Sequence, residues 1–149
     1  PGTLSPDSKL LALARFDAPA YQSSGLRAAT TDPSFDAAMR LYQSKNYRAA
    51  AAALQSLPAQ QRDSAQTQFF LSACLLLTGN PSGAESVATR VIARGDSPFL
   101  EEAYWLRAKS RFAARKLETA RGDLHSLISL KGDWERKANQ LLTQSLEVR

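Results

Sequence analysis

Residues whose type and spacing could support catalysis are few in this sequence of 149 residues. The single histidine, His125, lies close in sequence to Asp123 and Ser126. A Ser-His-Asp triad needs mutual hydrogen bonds, and positions one or two apart on a helix do not face each other. Glu101 and Glu102 fall in the first turn of a predicted helix, where carboxylates stabilise the helix dipole. We therefore predict no catalytic residues and no enzymatic activity.

Residues that could hold a metal ion or a nucleotide are equally sparse. The one cysteine, Cys74, lies in the apolar run 73–77 (ACLLL), which favours a buried, inert thiol. One cysteine and one histidine are too few for a zinc site. The stretch GNPSG at 79–83 matches no phosphate-binding motif. We predict no metal, no cofactor and no small-molecule substrate.

A helix–turn–helix pattern recurs along the chain. Its turns are KNY at 45–47, GNP at 79–81 and RKL at 115–117. The small residues that follow them, Ala50, Ala84 and Ala120, lie 34 and 36 residues apart. The preceding helices keep the same steps at Ala38, Ser72 and Ala108. A repeat of about 34 residues built from paired helices is typical of helical-repeat proteins.

This pattern resembles the tetratricopeptide repeat (TPR) family over roughly residues 32–130. The first motif has Ala38, Leu41, Asn46, Tyr47, Ala50, Leu54 and Leu57; the second has Leu71, Ser72, Leu75, Gly79, Asn80, Ala84, Ala88 and Val91; the third has Tyr104, Ala108, Leu117, Ala120, Leu124 and Leu127. The third motif departs from the family pattern at Arg107 and Arg111, where an apolar residue is usual. The resemblance implies an all-α, right-handed helical solenoid that binds a protein or peptide in its concave groove.

The predicted organisation is an N-terminal segment followed by a repeat domain. Residues 1–31 hold a short helix, begun by the capping sequence Ser5-Pro6-Asp7, and an extended lead-in that starts near Pro19. Residues 32–149 form the TPR-like domain, with repeats at about 32–60, 63–96 and 97–130. A helix at 133–147 has a polar outer face, as the terminal cap of a solenoid requires.

A stripe on the first helix of each repeat is the predicted binding groove, because this stripe lines the concave side in the resembled family. It comprises Phe35, Met39, Tyr42, Phe69, Leu76, Trp105, Lys109 and Phe112. An open apolar groove of this size is unusual on a soluble monomer. Three alternatives follow: cover by the chain itself, a partner peptide or helix, or homodimerisation. We expect residues 10–26 to cover part of the groove and to leave the end near Trp105 and Lys109 free.

Charge and hydropathy bear on the class of partner. The net charge is +5 and the sequence pI is about 9.7, which would suit an anionic partner. The cations of the third helix pair fall on several faces, so nucleic-acid binding is disfavoured. They are Arg107, Lys109, Arg111, Arg115 and Lys116. No apolar run reaches the roughly 18 residues that a membrane span needs.

The lead-in 13–30, LARFDAPAYQSSGLRAAT, resembles that of the extracytoplasmic repeat domains in bacterial anti-sigma-factor-like membrane proteins. Since the sequence begins at Pro1 without a methionine, we expect a membrane anchor upstream and a location on the periplasmic side of the inner membrane; a cytoplasmic location is the alternative. We predict a protein-interaction module of a membrane-anchored regulator. The competing prediction is a structural spacer or dimerisation domain whose groove is filled by its own N-terminal segment.

Overall fold

The computed structural model of the protein describes residues 5–22 and 33–148, and all regular secondary structure in these ranges is helical. The prediction of an all-α fold is confirmed for this part of the chain. The helices are α1 Pro6–Ala14, α2 Pro33–Gln43, α3 Tyr47–Gln55, α4 Ala59–Arg62, α5 Ala65–Leu77, α6 Pro81–Ala93, α7 Leu100–Ala113, α8 Leu117–Ser129 and α9 Glu135–Ser145. Predictions on residues 23–32, including Leu26 as part of the groove cover, lie outside the described residues.

Short polar side chains fix where several helices begin. Ser5, Asn46, Ser64 and Asn80 each accept a hydrogen bond from the backbone N–H three residues later, which satisfies one of the free donors of a helix start. The second predicted repeat starts at about residue 63, but its first helix begins at Ala65, because Ser64 is its cap and residues 59–62 form the separate turn α4. The predicted terminal helix likewise begins two residues later than expected, at Glu135.

Three connections between helices share one backbone geometry. Lys45, Gly79 and Arg115 adopt positive φ angles of 66°, 85° and 64°. In each case this residue bonds to the carbonyl three residues back, and the next residue bonds to the carbonyl five back. These are the two hydrogen bonds of a Schellman helix end. Helices α2 and α3, α5 and α6, and α7 and α8 are therefore joined by equivalent three-residue turns, and a short turn makes two helices antiparallel neighbours.

Packing follows the chain from α2 onward. Within each pair the two helices contact each other, α3 contacts α5, α6 contacts α7, and α8 contacts α9. Helix α1 departs from this order, since it packs on α7 and α9. The small residues that the sequence pattern places between helices are all 0% exposed: Ala38, Ala50, Ser72, Ala84, Ala108 and Ala120. Small side chains let helix backbones approach closely here, and the Ser72 hydroxyl donates to the Ala84 carbonyl at 2.7 Å.

The buried apolar side chains form two clusters, and α7 contributes to both. The first cluster lies among α2, α3, α5 and α6, and α7 adds Leu106 to it. The second lies among α1, α8 and α9, and α7 adds Phe112. At the far end, Arg121 donates to the carbonyls of Ser145 and Val148 at 2.5 and 2.9 Å. The end of the described chain is therefore fixed against α8.

A buried ion pair network links α7 to α8. The Asp123 carboxylate, on a side chain that is 2% exposed, accepts from Arg107 at 2.7 Å and from Arg111 at 2.8 Å. Arg111 also lies 3.6 Å from the Glu85 carboxylate on α6. The two arginines are the residues at which the third motif departs from the apolar pattern. Their charge is tolerated in a largely buried position because carboxylates on the neighbouring helices, Asp123 and Glu85, lie against it.

We predict that Asp123→Asn lowers the free energy of unfolding by roughly 2–4 kcal/mol, because it leaves the largely buried Arg107 without a carboxylate partner and Arg111 with Glu85 alone. Glu118→Gln is the matched control. Its carboxylate pairs with Arg121 but is 91% exposed, so its loss should change stability by about 0.5 kcal/mol or less. Urea denaturation of both variants measures this difference. Equal midpoints would contradict a structural role for the network.

Two glycine substitutions should have opposite effects. Gly122 lies inside α8, and an added Cβ would meet nothing within 4 Å. Gly122→Ala should therefore raise the free energy of unfolding by about 0.5–1 kcal/mol. Gly79→Ala has equal space but a φ of +85°, so it should lower stability by roughly 1 kcal/mol. Thermal melts test both; a loss at Gly122 would show a close contact there.

Candidate functional site

The structure separates the eight predicted groove residues into different environments. Phe35, Met39, Tyr42 and Phe69 are buried in the first cluster, Phe112 is buried in the second, Lys109 is buried, and Leu76 and Trp105 are partly buried. Phe69, Trp105 and Lys109 line one common cleft. These three residues, out of the eight, are therefore brought together at an accessible site.

The segment after α1, residues 15–22, crosses the first helices of the array and is named the strap below. The Tyr42 hydroxyl donates to the carbonyl of Pro19 at 2.5 Å, and Gln43 Nε2 donates to the carbonyl of Tyr21 at 3.1 Å. The Tyr21 ring meets the Phe70 ring edge-on, with centroids 5.4 Å apart. The strap therefore lies on α2 and α5, over part of the predicted groove.

Helix α1 is attached to α7. Leu10 and Leu13 are buried in the second cluster. The Lys109 ammonium donates to the Leu13 carbonyl at 2.9 Å, and this carbonyl lies in the last turn of α1, whose carbonyl groups lack partners within the helix. An exposed ion pair of 3.0 Å joins Arg115 to Asp7. Apolar burial and one buried charged hydrogen bond together hold α1 in place.

Between the strap and the helices lies a cleft of about 690 Å³, named the tryptophan cleft below. Ala12, Arg15, Phe16, Asp17, Pro19 and Ala20 form one wall. Phe69, Glu102, Trp105, Lys109, Trp134 and Lys137 form the other, from the region of α5, α7 and α9. The volume is in the range of about 300–1,000 Å³ that is usual for ligand sites.

Two paired aromatic rings and two cations define this second wall. The rings of Trp105 and Trp134 lie 5.1 Å apart at 40°. The Lys109 ammonium lies 5.0 Å from the centre of the Trp105 ring, and the Lys137 ammonium lies 4.9 Å from that of Trp134. Both tryptophans of the chain are in this cleft. The cleft offers an apolar surface with a positive charge at each ring, which suits a ligand that has both apolar and negatively charged groups.

Burial shifts the titration of two groups in the cleft. It lowers the pKa of Lys109 to about 8; the charge of Asp17 opposes this shift and that of Arg15 adds to it. Burial also raises the pKa of Glu102, and the neighbouring charge of Glu101 adds to that shift. The cleft is lined by three cationic and two acidic side chains, so its charge is positive when all five are ionised.

Other candidate groups are engaged or buried. Cys74 is 0% exposed, and burial raises its pKa to about 12, so its thiol is inert. The cations of the third helix pair each have a partner in the chain: Asp123 for Arg107 and Arg111, Glu85 for Lys116, Asp7 for Arg115 and the Leu13 carbonyl for Lys109. In residues 5–22 and 33–148, no group of three or more potential metal ligands occurs.

Sequence reasoning missed three contributors to this region. Trp134 and Lys137 lie next to the predicted groove, yet they belong to the terminal helix, and no repeat spacing relates α9 to α7. Phe70 contacts the strap, although the predicted stripe contained its neighbour Phe69. The only sequence signal that Phe70 could contact another segment was its position next to Phe69 on a helix that is apolar on most sides.

Comparison of the chain with protein-family models, with curated proteins and with solved structures gave no match. Among the helices of residues 5–22 and 33–148, none has the length and apolar character needed to cross a membrane. The residues and geometry of the cleft are thus the basis for a functional proposal.

We predict that Leu13→Ala destabilises the protein by about 2–4 kcal/mol, because it leaves a cavity between α1 and α7. Leu11→Ala is the control on the same helix: Leu11 is 73% exposed and Leu13 is 3% exposed, so the change at Leu11 should stay within about 0.5 kcal/mol. Chemical denaturation measures both. If the two variants unfold at the same midpoint, α1 does not dock on α7.

The lowered pKa of Lys109 predicts a pH-dependent stability. Burial disfavours the ammonium form, so its penalty is fully present below pH 8 and is relieved as pH rises from about 8 towards the ordinary value of 10.5. The parent should therefore gain stability relative to Lys109→Met between pH 8 and pH 10. The variant keeps the apolar stem of the side chain. Because all other titratable groups are the same in both proteins, their contributions cancel in the stability difference. A stability difference that stays constant over this range would contradict the assignment.

Proposed function

We propose that this chain is a TPR-like protein-interaction domain that binds a peptide segment of a partner protein in the tryptophan cleft. The observation that carries the proposal is the cleft itself, where Trp105 and Trp134 lie side by side under two cations. Tryptophan is among the residues that dominate the energetics of many protein interfaces. The pairing of both tryptophans beside an accessible cavity favours binding over a purely structural use.

The TPR-like arrangement, a right-handed solenoid of three helix pairs, is the finer part of this proposal. It is supported by the equivalent turns at Lys45, Gly79 and Arg115, which repeat at steps of 34 and 36 residues. The fully buried small residues between the helices and the sequential packing add to this support. In such arrays each unit contacts its neighbours, and the curved surface serves for recognition.

A protein partner is favoured over a nucleic acid. Phosphate binding needs several cations that are free to face the ligand. Here Arg107, Arg111 and Lys116 are paired with carboxylates. The cleft has a mixed lining of aromatic, cationic and acidic side chains, which matches the mixed chemistry of a polypeptide.

The alternative is a structural spacer or dimerisation domain whose groove is filled by its own N-terminal segment. The specific observation that favours it is the contact of the strap with Tyr42, Gln43 and Phe70. In this case the buried aromatics of α2 and α5 serve only to hold the strap. Location in a membrane-anchored bacterial regulator, on the periplasmic side, stays a prediction that draws on the resemblance of the lead-in.

A displayed library of random dodecapeptides tests the proposed function. Since both tryptophans are in the cleft, intrinsic tryptophan emission reports on this site alone. Selected peptides, resynthesised without tryptophan, should change that emission saturably and bind Trp105→Phe about tenfold more weakly. Tyr47→Phe, outside the cleft, is the control and should bind as the parent does. If no peptide is selected, or binding leaves the emission and the Trp105→Phe affinity unchanged, the spacer is favoured.

A further inference from the structure

Several backbone N–H groups of the strap are unpaired. Those of Phe16, Asp17 and Ala20, which line the tryptophan cleft, and that of Ala18 beside them donate no hydrogen bond within the described residues. The strap is held to α2 through the carbonyls of residues 19 and 21. Carbonyls two residues apart that point to one side indicate an extended backbone. The N–H and C=O groups of the residue between them then point away from α2.

We infer that the tryptophan cleft receives its partner as an extended peptide that lies alongside the strap and hydrogen-bonds to the unpaired N–H groups of Phe16, Ala18 and Ala20. This inference rests on the proposed function and specifies the conformation of the partner. It corresponds to strand addition, in which main-chain hydrogen bonds supply affinity and side-chain pockets supply specificity. Pro19 has no N–H, so pairing takes place on either side of it.

The unpaired backbone distinguishes an extended partner from a helical one. A helix satisfies its own peptide groups internally, so it gains nothing from free N–H groups in the wall of the cleft. An extended peptide loses water from its N–H and C=O groups when it enters a cleft, and unpaired buried groups are costly. A wall with complementary free groups removes this cost.

The opposite wall selects the side chains. The surface of Trp105 and Trp134 suits an aromatic or aliphatic residue. Lys137 forms no ion pair with a carboxylate of the described residues. The Arg15 side chain is 81% exposed, and its ion pair with Asp17 is long, at 3.9 Å. These cations suit acidic residues two positions away from the apolar one, since alternate side chains of an extended peptide point the same way.

The probe is the blocked peptide acetyl-TEVWVET-amide, whose tryptophan and two glutamates share one face when it is extended. Isothermal titration calorimetry measures its affinity, and hydrogen exchange measures protection of the Ala18 and Ala20 amides. Two N-methylated forms carry the methyl groups on alternate sets of amides. Only one set faces the strap in a strand pairing, so one form should bind about tenfold more weakly and the other within about twofold of the parent peptide.

A charge reversal tests the acidic selection. Lys137→Glu should weaken binding of the probe about tenfold. Arg136→Glu is the same change at an exposed neighbour outside the cleft and should weaken binding less than about twofold.

If the probe binds but both N-methylated forms bind equally and no amide is protected, the strand pairing is wrong while the proposed function stands. If library peptides bind through Trp105 and this probe does not, the inference alone fails. If neither binds, both fail.

Discussion

Helix α7 carries three cationic side chains, Arg107, Lys109 and Arg111, into a closely packed helical array, and the neighbouring elements supply their partners. A buried cation without a partner is strongly destabilising. Asp123 on α8 receives both arginines, and a carbonyl at the end of α1 receives Lys109. The docking of α8 is therefore coupled to charge neutralisation, and that of α1 to a hydrogen bond for a buried ammonium, in addition to the burial of apolar surface.

The position of the cleft follows from this coupling. Because α1 ends at α7, the strap that follows it must run back across α5 to reach its contacts with Tyr42 and Gln43 on α2. The terminal helix meets α8 and brings Trp134 beside Trp105. The site thus combines residues of the strap with residues from the region of α5, α7 and α9, and no single helix pair contains it.

The recurring turns between paired helices were predictable from sequence, because turns and caps are local. The spacing of Lys45, Gly79 and Arg115 and the small residues between helices required only neighbouring residues for their interpretation. The partners of Arg107 and Arg111 were not predictable, since helical periodicity gives the face of a side chain and not the group opposite it. The pairing of Trp105 with Trp134 depends on how α9 packs, which has no repeat spacing to guide it. The binding site was accordingly the harder part.

The strap explains how the apolar stripe is covered at one end while a cleft stays accessible at the other. Where the stripe is aromatic, the Tyr21 ring meets Phe35 of the stripe and the adjacent Phe70 edge-on, and burial of one such side chain contributes about 1.5–3 kcal/mol. Where the stripe becomes charged, at Lys109, the strap contributes the Asp17 side chain and backbone N–H groups without hydrogen bonds instead. An apolar cover placed there would desolvate a cation further without neutralising it. The charge of Lys109 therefore favours a hydrated cleft at this end of the stripe, which is the condition for an exchangeable ligand.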